Sequence, residues 1–423
     1  MMEKKSDVIV IGGGAAGLSA AIAAKETGAE SVLILERNPE LGGILPQCIH
    51  TGFGLHYFKE NLTGPEYISR FINRVYDLEI EHKLETMVLR LSSQREILAV
   101  NQNDGLLKLR PDAVVLAMGC REKSRGASCI PGTRPAGILT AGTAQRLMDI
   151  EGYVPGRKVL ILGSGDVGLI MARRFTMEGA EVVGVVEMMP YPGGLERNLQ
   201  CLRDFSIPLY LGHAATFIHG HDRVDTVTIS RLDEEHRPIP GEEKTIECDT
   251  LILSVGLIPE NELSKGAGIT LDPKTGGPVV NENMETSIEG VFACGNVVHV
   301  HDLVDHVTLD GEIAGRNAAE KALGELTPLK SRIHLKAGGN VRYVVPQIIS
   351  GEKPLTLYSR VKAPAFDAII RVGKNITVRK RVVKPPELVT IDLTAERLEK
   401  IEKEDELTVG MRVRGGLDGK RDS

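Results

Sequence analysis

The residues with the clearest chemical role are glycines at fixed spacing near the start of the chain. Gly12, Gly14 and Gly17 follow the apolar run 8–11, and Glu36 follows a second apolar run. Glycines in this pattern allow a tight turn, let the backbone approach a pyrophosphate and let a helix pack closely on a strand. Glu36 can accept hydrogen bonds from ribose hydroxyls. The stretch therefore predicts a βαβ unit that binds a dinucleotide at the N-terminus of its helix.

The same pattern occurs a second time. Residues 158–187 match residues 7–36 at a constant offset of 151. The counterparts of the three glycines and of the acid are Gly163, Gly165, Gly168 and Glu187. One offset held over so many positions is not expected by chance, so the sequence predicts two dinucleotide-binding domains of similar build.

The end of the second repeat bears on which nicotinamide cofactor would bind. A carboxylate at Glu187 would repel a 2′-phosphate and suits the free 2′-hydroxyl of NAD. Met188 and Met189 follow it, where an arginine pair would be expected for NADP. The sequence therefore favours NAD(H) over NADPH. The alternative is that the second fold holds another adenine nucleotide, or none.

Composition narrows the class of protein. The 423 residues predict two or three domains, and 42% hydrophobic residues are typical of a soluble globular chain. A net charge of −6 without a basic stripe argues against nucleic acid as the main partner. No apolar run approaches transmembrane length and no signal peptide is evident, so we expect a cytoplasmic protein. Six cysteines without a C-x-x-C pair disfavour a structural zinc site or an iron–sulfur cluster.

Periodicity predicts the elements that position these motifs. Residues 64–77 predict an amphipathic helix, and residues 309–323 predict a helix whose small residues allow close packing. Predicted strands of the first half are 86–91, 97–101, 106–109 and 113–117. From residue 326 a β-rich module is predicted, with strands 343–349, 355–361, 368–372 and 376–382, a helix 393–401 capped by Thr394, and a frayed tail 414–423.

Several further motifs give the chain a family resemblance. They are Leu41-Gly42-Gly43, Ala117-Met118-Gly119, Val255-Gly256-x-x-Pro259 and residues 290–296, GVFACGN. Together with the two repeats, they resemble the pyridine nucleotide–disulfide oxidoreductase superfamily over residues 6–325. The resemblance implies an α/β, glutathione-reductase-like fold with two Rossmann-like domains plus the C-terminal β-rich module. It also implies an FAD domain made of residues 1–121 and 280–325, an NAD domain of residues 122–279, and a module of residues 326–423.

The resemblance assigns a cofactor to each repeat. The residues expected to bind FAD are Gly12, Gly14, Ala16, Gly17, Glu36, Arg37, Gly42, Gly43, Ala117, Gly119, Gly295, Asn296 and Thr308. Those expected to bind NAD(H) are Gly163, Gly165, Asp166, Val167, Gly168, Glu187 and Gly256. Asn296 departs from the family, which usually has Asp there for the ribityl chain, although an amide can also bond a hydroxyl. The helix that starts near Thr308 is expected to point at the flavin pyrimidine edge.

A narrower resemblance points to a multisubunit enzyme. Residues 44–67, residues 298–315 and the β-rich tail resemble the flavin subunits that accompany type-2 glycerol-3-phosphate oxidoreductases. They are also similar to the α subunits of opine and proline dehydrogenases and of hydrogen cyanide synthase. The function expected is hydride transfer between NADH and FAD, with electrons exchanged with a partner flavoprotein. The alternative is an electron-transfer or scaffolding subunit whose second nucleotide site is structural or regulatory.

Cysteine and histidine supply the remaining candidates. Cys48, five residues after Gly43, could act as a flavin-adjacent thiolate or sulfenate, or simply pack as a small residue. A third function, a single-cysteine peroxide or disulfide reductase, rests on the first of these roles. A polar loop contains His299, His301, Asp302, Asp305 and His306. Its H-x-H-D pattern has no matched ligand spacing elsewhere, so we expect no metal and favour a polar loop at the flavin edge or a subunit contact. His50 and His56 are weaker polar candidates.

Overall fold

The protein, described here from a computed structural model, is defined over residues 2–401 and 404–413. It forms two compact units. The first contains the chain up to Pro46, His50–Cys120 and everything from Pro259 onward, and the second contains Gln47–Ile49 and Arg121–Ile258. The predicted tail, 414–423, lies outside the described residues. Within the described part, none of the helices is both long and apolar enough to cross a membrane.

The first unit begins with the predicted βαβ pattern. Its elements are β1 (Met2–Ile11), α1 (Ala15–Glu26), β2 (Val32–Leu35), β3 (Thr51–Phe53), β4 (Leu62–Thr63), α2 (Gly64–Asp77), β5 (Glu81–Lys83), β6 (Met87–Leu91), β7 (Ile97–Asn101) and β8 (Gly105–Leu116). The sheet has the order β5-β2-β1-β8-β7-β6, in which β5, β2, β1 and β8 are parallel. Helix α2 has the bounds expected, because Thr63 and Glu66 form a capping box and the stripe Tyr67, Phe71 and Val75 is buried.

Strand β8 corrects the sequence prediction of two strands, 106–109 and 113–117. Pro111 suggested a break, because proline cannot donate a ladder hydrogen bond. In the structure β7 pairs with Gly105–Leu109, and the strand Val291–Ala293 pairs with Val114–Leu116 on the same side. Pro111 falls between these two partners on one edge of β8 while β1 pairs along the other edge, and one twelve-residue strand runs through.

The second unit repeats the parallel architecture. After β9 (Cys120–Glu122) come α3 (Arg125–Ser128), β10 (Ile138–Thr140), α4 (Ala141–Asp149), β11 (Lys158–Leu162), α5 (Asp166–Met177), β12 (Glu181–Glu187), α6 (Glu196–Asp204), β13 (Leu209–Leu211), β14 (His213–Gly220), β15 (Val224–Leu232), β16 (Pro238–Glu247), β17 (Thr250–Leu253) and β18 (Leu257–Pro259). A parallel sheet has the order β10-β17-β11-β12-β13, and β14-β15-β16 form an antiparallel sheet. The apolar runs 159–162 and 250–253 are buried because both faces of the parallel sheet are covered.

The chain then returns to the first unit through α7 (Glu262–Ala267), β19 (Val291–Ala293) and α8 (Val304–Leu323). Helix α8 packs closely on α1 at two glycines. A Cβ on Gly311 would lie 2.4 Å from the carbonyl oxygen of Ala16, and one on Gly315 would lie 2.0 Å from that of Ala20. The predicted close approach is confirmed. The helix begins at Val304, five residues earlier than predicted, because the polar residues of its first turn carry no apolar periodicity.

The C-terminal part of the first unit is the predicted β-rich module. Its elements are β20 (Ile333–Gly339), β21 (Val341–Val345), β22 (Ile348–Ile349), β23 (Leu355–Val361), β24 (Ala365–Val372), β25 (Ile376–Val383), β26 (Val389–Leu393), α9 (Ala395–Leu398) and β27 (Glu406–Val413). They form sheets of order β22-β20-β27-β24-β25 and β21-β23-β26 around their own core. The sequence missed β20, β26 and β27, and it joined β21 to β22 across Pro346. It also extended α9 by three residues at its C-terminal end and two at its N-terminal end.

Candidate functional sites

The first glycine turn is set by backbone contacts that exclude side chains. Gly12 has φ +107°, and a Cβ there would lie 2.4 Å from the carbonyl oxygen of Ala117. A Cβ on Gly17 would lie only 1.8 Å from the carbonyl oxygen of Gly12. A side chain on Gly12 would strike the end of β8 and one on Gly17 would push α1 away from the turn, so both positions require glycine.

The N-terminus of α1 is open to a bound anion. Gly14 caps the helix without a side-chain hydrogen bond, so the first N–H groups of the helix are available. Gly14 also faces Gly43: a Cβ on Gly43 would approach the Cα of Gly14 to 2.9 Å. These two backbones form a cradle with no side chains in it, which fits a diphosphate. The cradle is the geometry that the sequence predicted for the first repeat.

Glu36 lies against the first glycine turn. It is buried, and its Oε2 accepts a 2.7 Å hydrogen bond from the backbone N–H of Gly13 while its Oε1 accepts one from Asn38. A carboxylate has about four lone-pair sites, so acceptor capacity remains for ribose hydroxyls. Arg37 and Gly42, the neighbours expected to share the site, lie in the loop that follows β2. Gly42 has φ +117°, which suits glycine alone.

The motif GVFACGN at residues 290–296, which the resemblance identifies as the second flavin motif, lies beside the start of α8. Ala16 sits near Gly295, where a Cβ would come within 2.9 Å of the Ala16 Cβ. Ala117 and Gly119 follow β8, and Gly119 has φ +72°. Thr308 is not at the helix N-terminus as predicted, because α8 begins one turn earlier. Its hydroxyl is buried and bonds to the hydroxyl of Tyr67 at 2.7 Å.

Asn296 has protein partners of its own. Its Oδ1 accepts a 2.9 Å hydrogen bond from the backbone N–H of His301 and lies 3.2 Å from Nδ1 of the same histidine. Its Nδ2 lies 3.6 Å from the sulfur of Cys120. The amide therefore orients the loop after the motif. A role toward the ribityl chain remains a prediction.

The second repeat builds the corresponding turn with more polar contacts. Oε2 of Glu187 accepts hydrogen bonds from both the backbone N–H of Ser164, at 3.0 Å, and its hydroxyl, at 2.7 Å. The same hydroxyl accepts a 2.8 Å bond from the N–H of Gly193. A Cβ on Gly168 would lie 2.4 Å from the carbonyl oxygen of Gly163, so the helix again packs on the turn. Ser164 was not predicted, although its place inside the repeat would have marked it.

Helix α5 starts with a carboxylate. Asp166 is its first residue, and Oδ1 accepts hydrogen bonds from the N–H of Leu195 at 2.8 Å and from Nδ2 of Asn198 at 2.6 Å. Val167 beside it is 41% exposed. Gly165 and Gly256 are open: a Cβ on either would meet nothing within 4 Å. The N-terminus of α5 is therefore accessible at Gly165 and carries one negative side chain.

Cys48 groups with the second unit, next to Gln145 and Asp149 of α4. Burial and the nearby charge of Asp149 raise the pKa of its thiol to about 12, although a hydrogen bond with Gln145 acts in the opposite direction. The thiolate is the reactive form of cysteine. This environment therefore keeps Cys48 protonated at neutral pH and favours a packing role over a redox one.

The polar loop after the second flavin motif is buried. Asp302 pairs with Arg360, and Oδ1 of Asp305 accepts hydrogen bonds from the N–H groups of His56 and Tyr57. His299 and His301 instead meet Asp310 of α8, and one ligand atom from each lies within 4.8 Å of the others. Asp310 was not a predicted residue. Its position inside α8 gave no signal, since only the return of the loop onto the helix brings it to the histidines.

The fold and these two sites define a flavoprotein class with two dinucleotide-binding units. The chain belongs to the pyridine nucleotide-disulphide oxidoreductase family, whose sequence pattern matches residues 6–320. It is an FAD-dependent oxidoreductase that uses FAD and a nicotinamide cofactor. The cradle at Gly14 and Gly43 and the acid Glu36 fit the adenosine diphosphate part of FAD.

Among characterised relatives, the chain is similar to one subunit of the opine oxidase of Agrobacterium tumefaciens (strain Ach5), with 25% identity over 347 residues, 76% of this chain and 66% of that protein. It is 27% identical to an NAD(P)H coenzyme A polysulfide/persulfide reductase of Pyrococcus horikoshii, over 75% of this chain and 71% of that protein. It is also 26% identical to hydrogen cyanide synthase subunit HcnB of Pseudomonas protegens, over 62% of this chain and 58% of that protein. The chain thus spans roughly two thirds of the length of the relatives it matches.

Solved structures show the same fold. Thioredoxin reductase of T. acidophilum matches with a TM-score of 0.62 and 25% identity, covering 75% of this chain and 99% of that one. An NAD-dependent persulfide reductase from A. fulgidus matches with a TM-score of 0.58 and 20% identity, covering 94% of this chain and 75% of that one. The predicted fold class and superfamily are therefore confirmed.

Proposed function

We propose that this chain transfers hydride between NADH and FAD and exchanges the electrons with a partner flavoprotein that acts on a small substrate such as glycerol 3-phosphate. The observation that carries the proposal is a contrast within the chain. Both nucleotide folds have their glycine turns and acids in place, whereas the thiol that could pass electrons onward inside the chain is held protonated by its burial. The electrons must then leave by another route.

The residues of this chain would bind and orient the two cofactors, and FAD, when bound, supplies the hydride-accepting chemistry. The available N–H groups at Gly14 and the acid Glu36 would hold its adenosine diphosphate part. Glu187 would accept hydrogen bonds from the ribose of NADH and disfavour the 2′-phosphate of NADPH. Two relatives that are named as subunits, one of opine oxidase and one of hydrogen cyanide synthase, support a partner.

A second candidate function is an electron-transfer or scaffolding subunit of an opine, proline or amine dehydrogenase. One observation favours it. Asp166 places a carboxylate at the first position of α5, where the diphosphate of a bound dinucleotide would lie. Like charges there would weaken dinucleotide binding. On this view the second fold is structural or binds a regulatory adenine nucleotide.

The test is to mix the FAD-loaded chain with NADH in the absence of oxygen and then to add an electron acceptor, either a dye or a small disulfide. We expect NADH to reduce a dye acceptor through the chain and to release no thiol from a small disulfide. Binding of NADH without any dye reduction would support the scaffolding function instead. If the chain reduces a small disulfide, and Cys48→Ser abolishes that activity, the protein is a single-cysteine reductase and both proposed functions are wrong.

A further inference from the structure

The loop after the second flavin motif and helix α8 bring three ligand-type side chains together in the interior of the first unit. His299, His301 and Asp310 are 1%, 8% and 2% exposed. Buried polar atoms normally have hydrogen-bond partners. Here both ring nitrogens of His299 are buried with none, and Nε2 of His301 and Oδ2 of Asp310 face each other at 3.0 Å. The same location thus contains two unpartnered ring nitrogens beside a close histidine–carboxylate pair.

The hydrogen bonds of Asn296 show which ring nitrogen of His301 carries a hydrogen. Oδ1 of Asn296 accepts a hydrogen bond from the backbone N–H of His301, which identifies that atom as the amide oxygen. The same oxygen lies 3.2 Å from Nδ1 of the ring, so Nδ1 must carry a hydrogen. In a neutral imidazole the other nitrogen, Nε2, then bears a lone pair. Fixing the tautomer from the far side of the ring is a recurrent feature of metal-ligating histidines.

That lone pair faces a carboxylate. Nε2 of His301 lies 3.0 Å from Oδ2 of Asp310. Two acceptors this close in a buried site repel each other unless a proton or a cation lies between them. The ring of His299 lies beside that of His301, with centroids 3.9 Å apart.

We propose that His299, His301 and Asp310 bind a first-row divalent metal ion, Zn²⁺ or Fe²⁺. Two imidazoles and one carboxylate are a donor set that both ions accept, with further positions left open. Ligand atoms on one tetrahedral ion lie about 3.4 Å apart. The three ligand atoms here lie within 4.8 Å of one another, so binding needs a closure of up to about 1.4 Å.

The surroundings complete the site. Asp310 and Tyr358 line a cavity of about 250 Å³. Two other carboxylates of the loop have protein partners, because Asp302 pairs with Arg360 and Oδ1 of Asp305 accepts backbone hydrogen bonds. The ion would tie the loop that follows the second flavin motif to α8.

Metal analysis of the full-length, FAD-loaded chain tests the proposal. We expect about one Zn²⁺ or Fe²⁺ per chain, either as purified or after removal with a chelator and reloading with that ion alone. His301→Gln and Asp310→Asn should each lower this content at least tenfold, whereas His221→Gln should leave it unchanged. His221 is a matched control because it also pairs with a carboxylate, Asp222, but on the exposed surface.

A second measurement does not depend on variants. X-ray absorption at the zinc edge of the reloaded wild-type chain should show two imidazole ligands. Retained FAD and an unchanged far-ultraviolet circular dichroism spectrum would establish that the variants are folded. The proposal is overturned if the wild-type chain takes up no ion, if the metal shows no imidazole ligands, or if His221→Gln alone removes it. In those cases a proton shared by Nε2 of His301 and Oδ2 of Asp310 would account for their 3.0 Å separation.

Discussion

The two nucleotide folds share one sequence pattern but differ in how far they are enclosed. Nine of the twelve residues of α1 are buried, against five of the twelve residues of α5. Helix α8 covers α1 through Gly311 and Gly315, and the cradle at Gly14 is backed by Gly43. In the second fold, Gly165 faces open space.

This difference matches two kinds of ligand. A site enclosed by close-packed backbone suits a cofactor that stays bound through many turnovers. An open helix N-terminus suits a cofactor that must enter and leave in each cycle. The same glycine pattern can therefore hold FAD in one unit and NADH in the other, and the neighbours of the turn decide which.

The largest expected effect comes from adding one carbon to the helix-packing glycines. Gly17→Ala should abolish stable FAD binding and cost about 3–5 kcal/mol of folding free energy, because the new Cβ would lie 1.8 Å from a carbonyl oxygen. Gly168→Ala, its counterpart, should keep FAD and lose reduction by NADH. The FAD-to-protein ratio and Tm measure the first effect. Equal loss of FAD in Gly17→Ala and Gly168→Ala would contradict the assignment of FAD to the first fold alone.

A tenfold effect is expected at the acid of the second fold. Glu187→Ala should reduce the preference for NADH over NADPH about tenfold, as the loss of about 1.4 kcal/mol of repulsion implies. Glu36→Ala should weaken FAD retention and leave the nicotinamide preference unchanged. Steady-state kcat/KM values for the two cofactors measure the ratio. An unchanged ratio in Glu187→Ala would mean that this acid does not face the ribose.

A smaller effect on NADH affinity is expected from the one charge that distinguishes the N-terminus of α5 from that of α1. Asp166→Asn removes a negative charge from the start of α5 and should tighten NADH binding about two- to fivefold, the magnitude of a charge at a helix terminus. Glu178→Gln, at the other end of the helix, is the control and should have no effect. Fluorescence titration with NADH supplies both dissociation constants. Weaker binding in Asp166→Asn would show that its hydrogen bonds to Leu195 and Asn198 matter more than its charge.

No effect on NADH-to-dye turnover is expected from Cys48→Ser. Because its pKa is raised to about 12, the thiol stays protonated below that pH, and its alkylation rate should rise tenfold per pH unit through the neutral and alkaline range. Cys129, which is exposed, should react much faster at neutral pH. Mass spectrometry after brief treatment with iodoacetamide distinguishes the two. Rapid labelling of Cys48 at pH 7 would show that its thiol is reactive and would again make it a candidate redox residue.

Local pattern predicted the parts of this protein that depend on local contacts. The glycine turns, both acids and the bounds of α2 follow from spacing, capping and periodicity. Strand β8 did not, because whether Pro111 breaks a strand depends on partners that lie far away in sequence. The start of α8 was also missed, since its first turn alternates Val304 and Val307 with the polar pair Asp305 and His306 and shows no apolar stripe.

The histidine cluster shows the same limit. His299 and His301 stood out in the sequence, but Asp310 lies nine residues further on, inside a helix. Only the return of the loop onto α8 places its carboxylate 3.0 Å from His301. Cys48 is the opposite case. Its position near the glycine motif suggested a reactive thiol, but its burial in the folded chain raises the pKa of the thiol, and that burial cannot be read from local sequence.

The central claim is that the enclosed first fold retains FAD while the open second fold delivers NADH to it. Anaerobic titration of the gel-filtered protein tests both parts at once. The account predicts that the flavin absorbance survives gel filtration and is bleached by NADH, with NADPH effective only at about tenfold higher concentration. Loss of the flavin on the column, or no bleaching at saturating NADH, would contradict it.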